Sequence, residues 1–214
     1  MELFRKHWFD IGGILSGLTI LFLFIYRTQL TDYEFLMWIS LVSLFLHQLE
    51  EYRIVGTFPG MINKVLFKSD NPDRFPLNPN TAVCINVFLG WGSYLLAAIL
   101  AEKAIWLGIA TILISLGNTI AHALVFNIKG KTFYNAGMVT SLILFAPICI
   151  FFFKIITVEG LVTITDFVVG ILLGIIFNVV GVLKLIDWMK DINTKYLFPN
   201  RNLLPQDRNN NISH

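Results

Sequence analysis

The chain has 214 residues, of which 56% are hydrophobic and 14% charged, against about 45–50% and 25% in a soluble domain. A chain of this size has too little interior for so much apolar surface, so a large share of it has to face lipid. The 16 Lys and Arg against 14 Asp and Glu leave a formal charge of +2, without the basic excess a nucleic-acid binder needs. Two cysteines, Cys84 and Cys149, sit in apolar runs without metal or redox spacing, which excludes a disulfide-stapled secreted domain.

Six apolar runs follow in chain order, at about residues 11–26, 33–49, 81–101, 104–126, 136–156 and 164–186. Each is near the length that crosses about 30 Å of hydrocarbon as a helix, and none alternates as a barrel strand would. The first lacks a cleavage site after it, only Tyr26 and Arg27, so it is expected to be retained. Asp10 stands where it would cap that first helix. The fold class expected is therefore all-α, a polytopic membrane helix bundle of about six transmembrane helices. Of the 16 Lys and Arg, only Arg27, Lys103 and Lys154 fall on one side; the rest gather on the other, which places both termini in the cytoplasm.

Outside the spans, Phe58, Met61, Ile62, Val65 and Leu66 recur at helical spacing, a short interfacial helix over about 58–68. The turn-rich stretch 69–80 that follows is not helical. A single transmembrane domain is expected over 1–198, followed by a flexible polar tail at 199–214. In the sixth run, Gly170, Gly174, Asn178 and Gly181 share about one face, the pattern of small-residue helix packing with Asn178 as a hydrogen-bonding partner. Lys184 and Asp187 at its end are read as structural.

Ionisable groups inside spans are costly and mark function by default. In the second run His47, Glu50 and Glu51 stand at i, i+3 and i+4 on one face, continued by Ser40 and Ser43. In the fourth, Thr111, Ser115, Asn118 and His122 form a similar polar stripe. Both helices run in the same direction. His47 lies about 20 Å and His122 about 27 Å along them, so both fall in the cytoplasmic third. Tyr134 and Thr140 enter from that side, and Asn86 and Ser93 in the third run are weaker candidates for the same lining.

These residues carry a resemblance. His47-Gln-Leu-Glu50-Glu51, Asn118-Thr-Ile-Ala-His122 and Tyr134-Asn-Ala-Gly137-Met-Val-Thr140 resemble the three motifs of the HXXEE family of bacterial and fungal integral membrane proteins. Phe58-Pro59-Gly60 is similar to the Pro-Gly that the family places after its acidic pair, whereas Ala136 stands where the family usually has proline. The resemblance implies a set of pocket residues and no reaction. It covers about residues 36–156.

Two imidazoles and a carboxylate match the His₂Glu ligand set of a catalytic divalent metal, zinc or iron. The expected ligands are His47, Glu51 and His122, with Glu50 as general base, Asn118 orienting His122 or a substrate carbonyl, and Tyr134 donating to an oxyanion. Ser43, Ser115, Asn86 and Thr140 would line the substrate pocket. This reading makes the protein a metal-dependent hydrolase or related lyase of the bacterial inner membrane. Its partners are the lipid bilayer and a small hydrophobic or lipid-like substrate, with no nucleic acid. Two alternatives remain open: a metal-free acid–base isomerase or cyclase in the same pocket, and a metal or proton transporter.

Overall fold

A computed structural model describes residues 2–208. It is all-helical, and no strand occurs among the described residues. Helix α1 is Glu2–Tyr26. It starts well before the first apolar run, so Asp10 lies inside it and is not a cap; its carboxylate pairs with His7 at 2.8 Å and Arg53 at 3.1 Å. Thr31 opens α2, Asp32–Leu49, through a capping box with Glu34. A wide turn, Glu50–Ile54, continues α2, with Val55 N–H donating to Glu50 O five residues back. Leu36, Met37, Ser40 to Phe45, His47 and Gln48 are all buried, so α2 is the central helix, covered on every side.

The short helix α3 spans 58–66. Met61 and Ile62 are buried against Trp8, Tyr52, Phe126 and Leu204, so its apolar side packs under the bundle. The next run, Pro79–Gly130, is broken at Ala101 (φ 48°) and the tight turn Ala101–Ala104. The two limbs, α4 at 79–100 and α5 at 105–130, fold back on each other. Tyr94 Oη donates to Thr111 O at 2.8 Å and accepts from Ser115 Oγ at 2.7 Å, whereas a straight helix would hold residues 94 and 111 about 25 Å apart. Helix α6 is Met138–Val158 and α7 is Ile164–Met189.

Four helical runs are long and apolar enough to cross a membrane: Glu2–Gln29, Pro79–Gly130, Met138–Val158 and Ile164–Met189. Their outer faces carry Phe24, Phe88, Ile150, Leu172 and Leu183, all exposed, an apolar surface that water does not stabilise. Helix α7 seats on α5 as its glycines suggest. A Cβ on Gly170 would lie 2.6 Å from Ile109 Cβ, and one on Gly174 would lie 2.6 Å from Leu113 Cδ1. Asn178 Nδ2 reaches Leu113 O at 3.3 Å.

Up to residue 208 the C-terminal segment is not the flexible tail expected from its composition. Beyond α7 the chain returns across α3 and packs. Phe198 N–H donates to Asp73 O at 2.8 Å, and Asn202 Nδ2 donates to Tyr52 O (3.0 Å) and Gly56 O (2.6 Å). Those carbonyls sit where α2 ends and would otherwise lack partners. Leu203 and Leu204 are buried, and Leu204 lies so close to Gly60 that a Cβ there would meet its backbone nitrogen at 2.7 Å. Residues 199–208 are therefore part of the packed domain; 209–214 lie outside the described residues.

Candidate metal centre

The last turn of α2 brings His47 and Glu51 to one side, four residues apart as the helical period requires. Helix α5 brings His122 to the same level. Glu51 Oε1 lies 3.4 Å from His47 Nε2 and 3.2 Å from His122 Nε2, and the three candidate ligand atoms lie within 4.8 Å of one another. All three side chains are at most 4% exposed. None of the three facing atoms has a hydrogen-bond partner, a costly state for buried polar groups.

The other ring nitrogens are held. His47 Nδ1 lies 2.9 Å from Thr140 Oγ1, and that hydroxyl gives its proton to Glu50 Oε2 at 2.6 Å. Thr140 therefore accepts from His47. His122 Nδ1 lies 2.6 Å from Asn135 Oδ1, while Asn135 Nδ2 donates to His122 O and Asn127 Oδ1, each at 2.8 Å. Asn135 too presents an acceptor to its imidazole. The network thus assigns the ring proton of both histidines to Nδ1 and turns both Nε2 lone pairs toward the Glu51 carboxylate. Buried together in this way, the three atoms need a shared positive charge, from a proton or from a metal ion.

Packing fixes the rings. The two imidazoles stand edge to face with centroids 4.9 Å apart. Phe145 lies 4.6 Å from His47, and Phe58 and Phe126 flank His122 at 5.7 and 4.9 Å. Gly137, at φ 99°, closes the remaining side. A Cβ there would stand 2.5 Å from His122 Cε1 and 2.8 Å from His47 Cε1, so only glycine admits both the backbone conformation and the approach.

Several sequence-based roles change. Glu50 is not a free base. Its Oε1 accepts from Tyr134 Oη at 3.0 Å and Val139 N–H at 3.2 Å, and its Oε2 accepts from Thr140 N–H at 2.8 Å and Thr140 Oγ1. These bonds saturate the carboxylate and hold the first turn of α6, whose free N–H groups attract a negative charge. Tyr134 is accordingly spoken for by Glu50. Asn118 does not reach His122; its Nδ2 donates to Ile114 O on its own helix at 3.0 Å.

The expected pocket lining also disperses. Ser43 bonds back to Ser40 O and Ser115 meets Tyr94. Asn86 joins Gln48 and Tyr52 on another side of α2. Of that group, Thr140 alone touches the centre, as the acceptor for His47. Asn135 was missed, although it stands beside Tyr134 in the third motif; a polar side chain in the connection just ahead of an apolar helix was the available signal.

The family described as "Protein of unknown function with HXXEE motif" matches residues 38–152, more than half of the chain. No curated protein and no solved structure matches it. The matched region contains His47, Glu51, His122 and the residues that hold their rings, and the chain belongs to the HXXEE family.

Proposed function

We propose that the protein is a membrane-embedded, metal-dependent enzyme of hydrolase or lyase type, with His47 Nε2, Glu51 Oε1 and His122 Nε2 as its metal ligands. One observation carries the reading: three buried atoms of metal-ligand type converge, none with a hydrogen-bond partner. The two spacings to Glu51 fit as well, and the two imidazole nitrogens lie within 4.8 Å of each other. Bonds of about 2.0–2.1 Å in tetrahedral directions set ligand atoms about 3.3 Å apart, beside the 3.2 and 3.4 Å found.

A divalent ion bound there supplies Lewis-acid polarisation of a substrate oxygen or a water made acidic by coordination. The chain's own contribution is orientation and exclusion of water. Thr140 and Asn135 fix the imidazoles, Phe58, Phe126 and Phe145 keep the surroundings dry, and Glu50 positions Thr140. Phe133 and Tyr134 are exposed on the connection beside the centre, an apolar approach suited to a hydrophobic or lipid-like substrate. In this reading the chain crosses a bacterial inner membrane about six times with both termini and the centre toward the cytoplasm, as the distribution of Lys and Arg favours.

The metal-free alternative needs a second free carboxylate, and the four hydrogen bonds to Glu50 count against it. Transport needs a polar path. Away from the centre, the polar groups buried along α2 and α5 are Ser40, Ser43, Thr111 and Ser115 with Tyr94; Ser43, Thr111 and Ser115 are engaged by Ser40 O, Gly108 O and Tyr94, and no charged side chain continues the path among the described residues. Elemental analysis of the purified chain tests the reading. About one zinc or iron per chain, lost in His122→Ala, is the expected outcome. A metal-free protein that keeps its activity in chelator would favour the acid–base alternative.

A further inference from the structure

The end of the bundle where α1 begins and the C-terminal segment packs contains a cleft of about 750 Å³. Its walls come from the first residues of α1, from Tyr52 and Arg53 at the end of α2, from the segment around Asp73 and Arg74, and from residues 195–202. Arg5, Lys6, Arg53, Arg74, Lys195 and Arg201 line it, against the carboxylates of Glu2 and Asp73.

The pairing of these charges is uneven. Lys6 is matched by Glu2 at 2.7 Å, Arg74 by Asp73 at 2.8 Å and Arg53 by Asp10 at 3.1 Å. Arg5 donates to the neutral Asn80 and lies over the Tyr196 ring, 3.7 Å from its centroid. Lys195 and Arg201 have no carboxylate within 4 Å among the described residues, and the Arg201 guanidinium lies over the Phe9 ring at 5.5 Å. Burial and the charge of Arg53 hold the Arg201 guanidinium below its ordinary range. Arg201, with no carboxylate within 4 Å among the described residues, stands near Arg53, whose one carboxylate partner is Asp10; two guanidinium forks that share a single counter-charge suit the oxygens of a phosphate.

Where the cleft ends, an apolar track begins. Ile11, Ile14, Leu18, Leu21 and Ile25 are exposed and recur three and four residues apart, a single stripe along α1 that leads away from the cleft. A phosphate pocket continued by an apolar stripe matches an amphiphile better than a soluble anion. We propose that this cleft binds the phosphate-bearing headgroup of an anionic lipid, its phosphate held by Arg53 and Arg201 and its chains laid along α1. The proposal stands apart from the metal reading, because no hydrogen bond or ion pair joins Arg53, Arg201 or α1 to His47, Glu51 or His122 among the described residues.

Native mass spectrometry of the full chain in detergent tests it, by titration with a phosphatidylglycerol or with a phosphatidylcholine of the same chains. The anionic lipid is expected to bind at least about tenfold more tightly, and Arg201→Gln or Arg53→Gln to weaken it about ten- to a hundredfold. Lys103→Gln, at the opposite end of α4, should leave it unchanged. Circular dichroism of each variant verifies that the helices are intact, and Lys195→Gln provides a second substitution, at an exposed residue of the cleft wall, expected to act in the same direction. Equal affinity for the two lipids, or anionic binding unchanged in both arginine variants, would overturn the proposal. Inorganic phosphate that binds alone and excludes the lipid would overturn the lipid assignment in favour of a soluble phosphate.

Discussion

Glu51 and His122 meet across the bundle with Oε1 3.2 Å from Nε2, and both atoms are buried without a hydrogen-bond partner. The contact joins the end of the central helix to the latter half of α5. A bare carboxylate in this place costs several kcal/mol unless a positive charge neutralises it. A metal ion held by the two Nε2 atoms is the source of that charge that we propose.

Asn135 and Thr140 act through the histidines. Asn135→Ala removes the acceptor of His122 Nδ1, and Thr140→Val removes that of His47 Nδ1. Each is expected to lower metal affinity about 10–100-fold with the helical content unchanged. Competition with a chromophoric chelator measures it. Unchanged affinity in both would mean that the rings are oriented by packing alone.

Gly137→Ala brings a Cβ against both rings and places alanine at φ 99°. The backbone alone costs about 1–3 kcal/mol. The expected result is a lower thermal midpoint together with loss of bound metal. A variant that unfolds at the wild-type temperature with its metal intact would contradict the close approach.

Glu50 tests clamp against base. Glu50→Ala frees the first turn of α6 and should lower the thermal midpoint by several degrees, whereas loss of a free base would lower turnover and leave stability alone. Tyr134→Phe removes one bond to Glu50, worth about 0.5–1.5 kcal/mol. Burial, then the Glu50 carboxylate, pushes the Tyr134 phenol up to about 12. Because this lies above its ordinary value, the bond's contribution is complete below about pH 10 and fades as pH rises through about 12. Thermal midpoints of wild type and Tyr134→Phe should therefore differ at pH 8 and converge above about pH 12.

Asn202→Ala removes two donors from the carbonyls of Tyr52 and Gly56. With both acceptors buried by the tail, a loss of about 1–3 kcal/mol is expected by chemical denaturation. No loss would mean that the C-terminal segment packs without supporting the end of α2.

What was legible in the sequence follows from periodicity. The spacing of His47 and Glu51 sets them on one helical face, and counting along two parallel-running helices brings His122 to their level. Glu50 and Glu51 are only 100° apart around the helix, so direction alone could not say which one meets the histidines; the packing of α6 decides it. The stripes of Ser40, Ser43, Thr111 and Ser115 suggested a lined pocket. Ser43 and Thr111 instead bond to carbonyls three residues back, which any serine or threonine in a helix can do. Asn135 lies in a connection, where no period exists to aim a side chain. The C-terminal segment reads as polar by composition, yet Leu203 and Leu204 bury it and Asn202 finds the carbonyls at the end of α2.

An anomalous-scattering map collected at and below the zinc and iron absorption edges addresses the space between His47 Nε2, Glu51 Oε1 and His122 Nε2 directly. The account predicts one peak about 2.0–2.2 Å from all three atoms. Protons in place of a metal, with both Nε2 atoms donating to Glu51 and no anomalous peak, would contradict it.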